Sequence, residues 1–189
     1  MQKKELRSLY LAKRMGLSSF EKSLLEEKIV ENLFSNFSFS GKVTSCFLPI
    51  EAKHEIDTWD IIAGIQKNHG QIAIPVWDTA SNQLVHRTYI DGMRIEVNSY
   101  GIPEPQNGRV ISNDVFDYVL VPLLAVDRMG ARVGYGKGIY DRFLAECSSK
   151  TLFIGLSFFE LIACIEDTDV YDIPLHYCIT PTKCYRFEK

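Results

Sequence analysis

The run Arg132-Val133-Gly134-Tyr135-Gly136-Lys137-Gly138-Ile139-Tyr140-Asp141-Arg142 gathers the residue types that handle phosphate. Three glycines alternate with other residues between an apolar stretch and a helix-forming one. Such spacing lets the backbone turn tightly and aim successive N–H groups at one anion. A helix start adds its positive dipole end. Arg132 and Lys137 bracket the loop with full positive charges. The plain alternative is a flexible glycine linker before a helix. The two cations and the position after a core strand favour a phosphate cradle. No Gly-Lys-Ser/Thr follows four spacers, so this is not a Walker A loop. The third glycine also comes one residue too early for GxGxxG.

Asp141 falls in the first turn after the glycines. A carboxylate there either complements the helix dipole or, beside a polyphosphate, holds Mg²⁺ together with phosphate oxygens. Asp167, Asp169 and Asp172 form a second acidic group, in a loop where solvated carboxylates are the commoner reading. Glu55-Ile56-Asp57-Thr58 follows the first strand of the expected sheet. At the carboxyl edge of a parallel sheet, Glu55 either serves a helix N-terminus or accepts N–H groups of a ligand. Tyr100, Tyr135 and Tyr140 either wall a flat ligand or are plain core. His54, His69, His86 and His176 share no ligand spacing, and no HExxH, G-x-S-x-G or Cys–His nucleophile pattern is present. Zinc chemistry and covalent nucleophiles are therefore not expected.

The elements that must carry these groups are legible in outline. The first fifteen residues predict a helix, with Lys4, Arg7 and Arg14 near one face and Leu6, Leu9 and Tyr10 on the other. Ser18 and Glu21 make a capping box. It opens a second helix whose apolar stripe is Leu24, Leu25, Ile29, Leu33 and Phe34. Val43 to Leu48 predicts a buried strand. Thr58 caps a helix bearing Trp59, Ile62, Ile65 and His69, Gly70 ends it, and Gln71 to Val76 returns as a parallel strand. Leu84 to Ile90 predicts a strand and Asn98 to Asn113 a loop. Tyr118 to Pro122 is the most strand-like run. A helix from Tyr140 to Glu146, a strand from Thr151 to Leu156 and a short strand around Cys178 to Thr180 complete the chain. The expected fold is a single α/β domain over 1–189. It is a three-layer α/β/α sandwich with a mostly parallel sheet and the N-terminal helices packed outside it.

Composition narrows the partners. The 189 residues are 46% hydrophobic, enough for a real core, and carry 21 Lys+Arg against 24 Asp+Glu, a formal net charge of -3. That balance argues against a chain-wide nucleic-acid binder. The basic N-terminus is the one feature an RNA-binding reading would use. No apolar run approaches the ~20 residues that span a bilayer, and no secretory segment opens the chain. A cytoplasmic protein is expected, monomeric or weakly oligomeric, with no membrane or nucleic-acid partner. Five scattered cysteines without a CxxC predict reduced thiols, mostly buried.

Val121-Pro122-Leu123-Leu124-Ala125-Val126-Asp127, then Gly130, then Arg132-x-Gly134-Tyr135-Gly136-x-Gly138-x-Tyr140-Asp141-Arg142 resembles the signature of the 5-formyltetrahydrofolate cyclo-ligase (methenyltetrahydrofolate synthetase) family. Lys4-Glu5-Leu6-Arg7, Leu48-Pro49 with Glu55-Ile56-Asp57-Thr58, and Gly101-Ile102-Pro103-Glu104-Pro105 are similar to further segments of it. The likeness runs from Lys4 to Thr180. The family commonly has Gly at Leu123, Phe at Val126, Gly at Lys137 and Tyr at Ile139.

The resemblance implies an ATP- and Mg²⁺-dependent ligase acting on 5-formyltetrahydrofolate, with an α/β/α fold. It implies that Lys3, Lys4, Arg7, Arg132 and the loop Val133, Gly134, Tyr135, Gly136, Lys137, Gly138, Ile139 and Tyr140 bind ATP. Leu48, Glu55 and residues Tyr135 to Ile139 would contact the folate. Asp141 and Asp169 would hold Mg²⁺, and Arg132, Lys137 and Tyr140 would serve the chemistry. A nucleotide-binding regulatory module, or an enzyme with a different substrate on the same scaffold, are the competing readings.

Overall fold

The computed structural model describes residues 1–188. Its strands in chain order are β1 (Val43–Ser45), β2 (Gln71–Asp78), β3 (Gln83–Tyr89), β4 (Ile95–Val97), β5 (Pro103–Pro105), β6 (Val110–Ile111), β7 (Tyr118–Pro122), β8 (Ala125–Val126), β9 (Arg132–Val133), β10 (Leu152–Leu156), β11 (Tyr177–Ile179) and β12 (Cys184–Arg186). The helices are α1 (Lys3–Met15), α2 (Ser19–Asn36), α3 (Trp59–Lys67) and α4 (Ile139–Glu146).

One eight-stranded sheet runs β12-β11-β10-β7-β1-β2-β3-β6. Its centre, from β11 to β2, is parallel. The outer strands β12, β3 and β6 pair antiparallel. The alternation along the central strands explains the layers. Leu120, Ile154 and Ile179 point into one core with Ile29 and Leu33 of α2 and Ile61, Ile62 and Ile65 of α3. Val119, Val121, Phe153 and Cys178 point into the other, with Phe143 and Leu144 of α4. Buried on both faces, such strands read as continuous apolar runs, as Tyr118 to Pro122 does.

Both N-terminal helices lie outside the sheet, in different places. α2 joins α3 in one helical layer, and its capping box forms as expected: the Ser18 hydroxyl accepts from the Glu21 N–H, and the Glu21 carboxylate accepts from the Ser18 N–H. α1 instead covers the small β8–β9 ladder beyond the end of β7, burying Leu6 and Tyr10 against Leu124, Ala125, Val133 and Ile165.

Several expectations change. Arg14 is not on an exposed basic face but 4% exposed. The segment expected as loop between Asn98 and Asn113 contains β5, paired with β4, and β6, paired with β3. The strand expected from Val43 to Leu48 ends at Ser45 as a ladder, though Cys46, Phe47 and Leu48 remain buried. Thr58 does not cap α3 with its side chain. Its hydroxyl donates to the Phe47 carbonyl at 2.6 Å, and Asp57 accepts from the Trp59 N–H instead. All five cysteines are free, but only Cys46 and Cys178 are buried.

Candidate active site

The carboxyl ends of β1, β2 and β7 open into a cleft of ≈ 740 Å³. Phe47, Leu48, Pro75 and Pro122 form its floor at the strand ends, and Lys3 and Arg7 of α1 enter from the side. The glycine loop forms a wall from Gly134 through Arg142, and Trp77, Tyr100, Ile102 and Glu104 line the far side. This is the crevice that a parallel sheet offers beyond its strand ends.

The loop geometry is specific. Gly136 and Gly138 have φ of +84° and +62°, the left-handed region that favours glycine. Gly138 stands at the N-cap of α4, so that helix opens beside the cleft. Arg7 is tied to the loop by its Nε, which donates to the Gly134 carbonyl at 2.9 Å. Lys137 stays exposed, with Nζ 5.3 Å from the Tyr100 ring centroid.

At one end, cations and carboxylates interleave. Arg132 Nη2 donates to Asp141 Oδ1 at 2.6 Å, and its Nη1 donates to the Ile173 carbonyl. Asp141 Oδ1 also accepts from the Ile173 N–H at 3.1 Å. Lys3 Nζ pairs with Asp172, and the Lys3 N–H donates to Asp167 Oδ1 at 2.6 Å. Asp172 lines the cleft and Asp169 does not. Asp169 instead closes its own turn, accepting from the Tyr171 N–H at 3.0 Å while its N–H donates to Asp172 Oδ2 at 2.6 Å. The family resemblance points to Asp169 among the three loop aspartates; Lys3 contacts both Asp167 and Asp172, and of the three it is Asp172 that lines the cleft.

The other end holds a buried carboxylate. Glu55 is 4% exposed. Its Oε1 accepts from the Tyr135 hydroxyl at 2.5 Å and its Oε2 from the Ile50 N–H at 2.8 Å. Burial, then the Glu55 charge, push the Tyr135 hydroxyl above its ordinary pKa. The same two causes raise Tyr140, so both are neutral phenols. Burial also lowers the Arg132 pKa, against the opposing pull of Asp141, and the guanidinium stays charged at neutral pH.

Of the residues singled out in the sequence, Lys3, Arg7, Leu48, Glu55, Arg132, Gly134 to Tyr140 and Asp141 all line this cleft. Lys4 is exposed outside it, and Val133 turns its side chain into the apolar core under α1. Lys53 was missed. It lines the cleft with Nζ 3.8 Å from the Tyr135 ring centroid. Among the described residues no helix is long and apolar enough to cross a membrane.

The family model described as the 5-formyltetrahydrofolate cyclo-ligase family matches residues 1–176. The 5-formyltetrahydrofolate cyclo-ligase of Mycoplasma genitalium is 30% identical over 93% of this chain and 97% of its own. The mouse protein of that name is 30% identical over 77% of this chain and 70% of its own. The NMR structure of the 5,10-methenyltetrahydrofolate synthetase of Aquifex aeolicus superposes with a TM-score of 0.83 at 32% identity, covering 100% of this chain and 94% of that one. The structure of a 5,10-methenyltetrahydrofolate synthetase from Mycoplasma pneumoniae superposes with a TM-score of 0.73 at 25% identity, covering 96% of this chain and 99% of that one. The signature loop, the layered sheet and these matches agree: the chain belongs to the 5-formyltetrahydrofolate cyclo-ligase family.

Proposed function

We propose that the protein cyclises 5-formyltetrahydrofolate to 5,10-methenyltetrahydrofolate at the expense of ATP, releasing ADP and phosphate. The observation that carries this reading is one glycine loop walling a single cleft between an ionic end and a buried carboxylate. Lys3, Arg7, Arg132, Asp141 and Asp172 make the first end, and Glu55 makes the second. Triphosphate and pterin then meet along the same backbone.

The chemistry asks for this division. The N5-formyl group is amide-like, and N10 cannot displace its oxygen unaided. Transfer of the γ-phosphoryl group forms a phosphorus–oxygen bond to the formyl oxygen and breaks the one to ADP. N10 then attacks the formyl carbon, the carbon–oxygen bond breaks, phosphate leaves, and N10 gives up its proton. No protein nucleophile is needed. The protein must align the reactants within about 3–3.5 Å and neutralise moving charge.

In this reading Lys3, Arg7, Lys137 and the N–H groups of the loop hold the phosphates. Arg132 fixes Asp141, and the neutral Tyr140 hydroxyl donates where charge builds on the transferred group. Glu55 takes the N–H donors of the pterin edge, with Leu48 and Ile139 against the ring. Lys4, exposed outside the cleft, is left out.

The donor set suits Mg²⁺. Two carboxylates, Asp141 and Asp172, line the ionic end. Among the described residues no group of three or more His, Cys, Asp or Glu makes a protein-only cage. Mg²⁺ is commonly held by one or two carboxylates plus substrate phosphates. When bound, the ion supplies charge neutralisation on the phosphate oxygens. Asp169 then acts by bracing Asp172. The test is to mix protein, ATP, Mg²⁺ and 5-formyltetrahydrofolate and follow the absorbance of the methenyl product. ADP should appear one for one with it. Rapid folate-independent ATP hydrolysis with no methenyl product would overturn the reading.

A further inference from the structure

Arg14 is the most buried cation of the N-terminal helix, and nothing in the proposed reaction uses it. It lies four residues after Tyr10 and eight after Leu6, on the face of α1 that packs inward. At 4% exposure its charge is costly unless compensated. None of the direct ion pairs among the described residues includes it. Its Nη2 donates to the Tyr135 hydroxyl, and its Nη1 donates to the Leu123 carbonyl at 3.4 Å.

We propose that Arg14 is a positioning residue for the folate half of the cleft: through the Tyr135 hydroxyl it orients the Glu55 carboxylate. The proposal rests on the reading of Glu55 as the pterin acceptor. Its logic is a matter of donors. A guanidinium has no acceptor, so Arg14 must donate to the Tyr135 oxygen. The single proton of that hydroxyl is then committed to Glu55 Oε1 at 2.5 Å. The Ile50 N–H holds Oε2 at 2.8 Å. Both carboxylate oxygens are thereby fixed, with lone pairs left for a ligand.

Arg14 and Glu55 are buried opposite charges separated by one hydroxyl, and each offsets the other's desolvation through it. The remaining charged or titratable groups around Glu55 are Lys53, whose ammonium lies over the Tyr135 ring, and Tyr140 from α4, with Cys46 beside it. Arg14 itself does not line the cleft, whereas Tyr135 and Glu55 do. Its hydrogen-bonded route to the cleft runs through Tyr135.

The test compares the wild type with Arg14→Met, Arg14→Lys, Tyr135→Phe and the double variant Arg14→Met/Tyr135→Phe. Dissociation constants for 5-formyltetrahydrofolate and for ATP are measured separately, with kcat and thermal melting. Arg14→Met and Tyr135→Phe should each weaken folate binding by about ten-fold, the scale of one charge-assisted hydrogen bond, and move ATP binding by less than about two-fold. The double variant should bind folate no worse than the weaker single, because both break one chain. Arg14→Lys should recover part of the loss. A purely structural role moves the melting temperature but neither the folate-to-ATP split nor the partial recovery in Arg14→Lys.

Unchanged folate affinity in folded Arg14→Met, equal loss for both ligands, or additive effects in the double variant would each sink the proposal. Should Arg14→Met fail to fold, Tyr135→Phe decides: normal folate affinity there rejects the chain of donors. A wild type that does not bind 5-formyltetrahydrofolate would reject the functional reading itself, before any variant is compared.

Discussion

Arg7 occupies the space a side chain at Gly136 would need. A methyl group there would stand 2.9 Å from the Arg7 guanidinium carbon Cζ and 2.9 Å from Nη2. The glycine is demanded twice, once by its φ of +84° and once by the cation laid against it. The cradle is thus built from two distant stretches of chain that shape each other.

Gly136→Ala should therefore do two separable things. The left-handed backbone costs roughly 1–2 kcal/mol for alanine, so the melting temperature should drop by several degrees. Displacing Arg7 should raise the KM for ATP several-fold and that for folate much less. Steady-state kinetics with each substrate varied in turn checks this, and an unchanged KM for ATP would remove Arg7 from the phosphates.

Asp141→Asn should cost more than a helix-dipole complement would. The Arg132 side chain is only 6% exposed and loses its carboxylate, which should cost about 1–3 kcal/mol of stability. Turnover should fall by about 10²-fold or more if the charge sits where the phosphoryl group moves. Asp172→Asn should lose turnover comparably, and Asp169→Asn should keep kcat within about two-fold. The measurement is kcat across a Mg²⁺ titration for the three variants, with melting curves as the control. An Asp169→Asn variant more damaged than Asp172→Asn would restore Asp169 to the metal.

Glu55→Gln should raise the KM for folate by about ten-fold or more, the worth of a buried charge-assisted pair. The KM for ATP should stay near that of the wild type. A raised KM for ATP with normal folate kinetics would put Glu55 on the other ligand.

His86 predicts the acid limb of stability. It is 0% exposed, its ring centroid 4.3 Å from that of Phe143 and 4.8 Å from that of Phe116, and burial lowers its pKa from 6.5 to about 4. The unfolded chain takes up a proton below pH 6.5 that the folded chain refuses until about pH 4. Stability should therefore be intact above pH 6.5 and erode as the pH falls toward 4, by up to about 3 kcal/mol for this depression. Denaturant unfolding of the wild type and His86→Asn between pH 4 and 7 checks it, and equal slopes for the two would reject the assignment.

Some of this was legible in the residues and some was not, for physical reasons. β7 was readable because a strand buried on both faces is a continuous apolar run. α2 was readable because its capping box is local. β8, β9 and β6 are ladders of two residues, too short to show any period. The glycine loop, Arg7 and Glu55 stood out by type and spacing. Asp172 did not, because three neighbouring aspartates look alike until the fold places one of them on the cleft. Arg14 was misplaced for a different reason: its i+4 and i+8 spacing from Tyr10 and Leu6 marked it as inward, but its charge suggested the solvent side. Buried cations break the binary pattern where a polar chain has work to do.

Lys3 and Asp172 are 169 residues apart in sequence and side by side in space. During synthesis α1 therefore emerges well before its partner loop. Lys3 is thus made long before the acidic loop that pairs with it. Closing that ionic end of the cleft is a high-contact-order event, and any pause before residue 172 leaves a chain with β1, β2, β7 and β10 made and the ionic end still open.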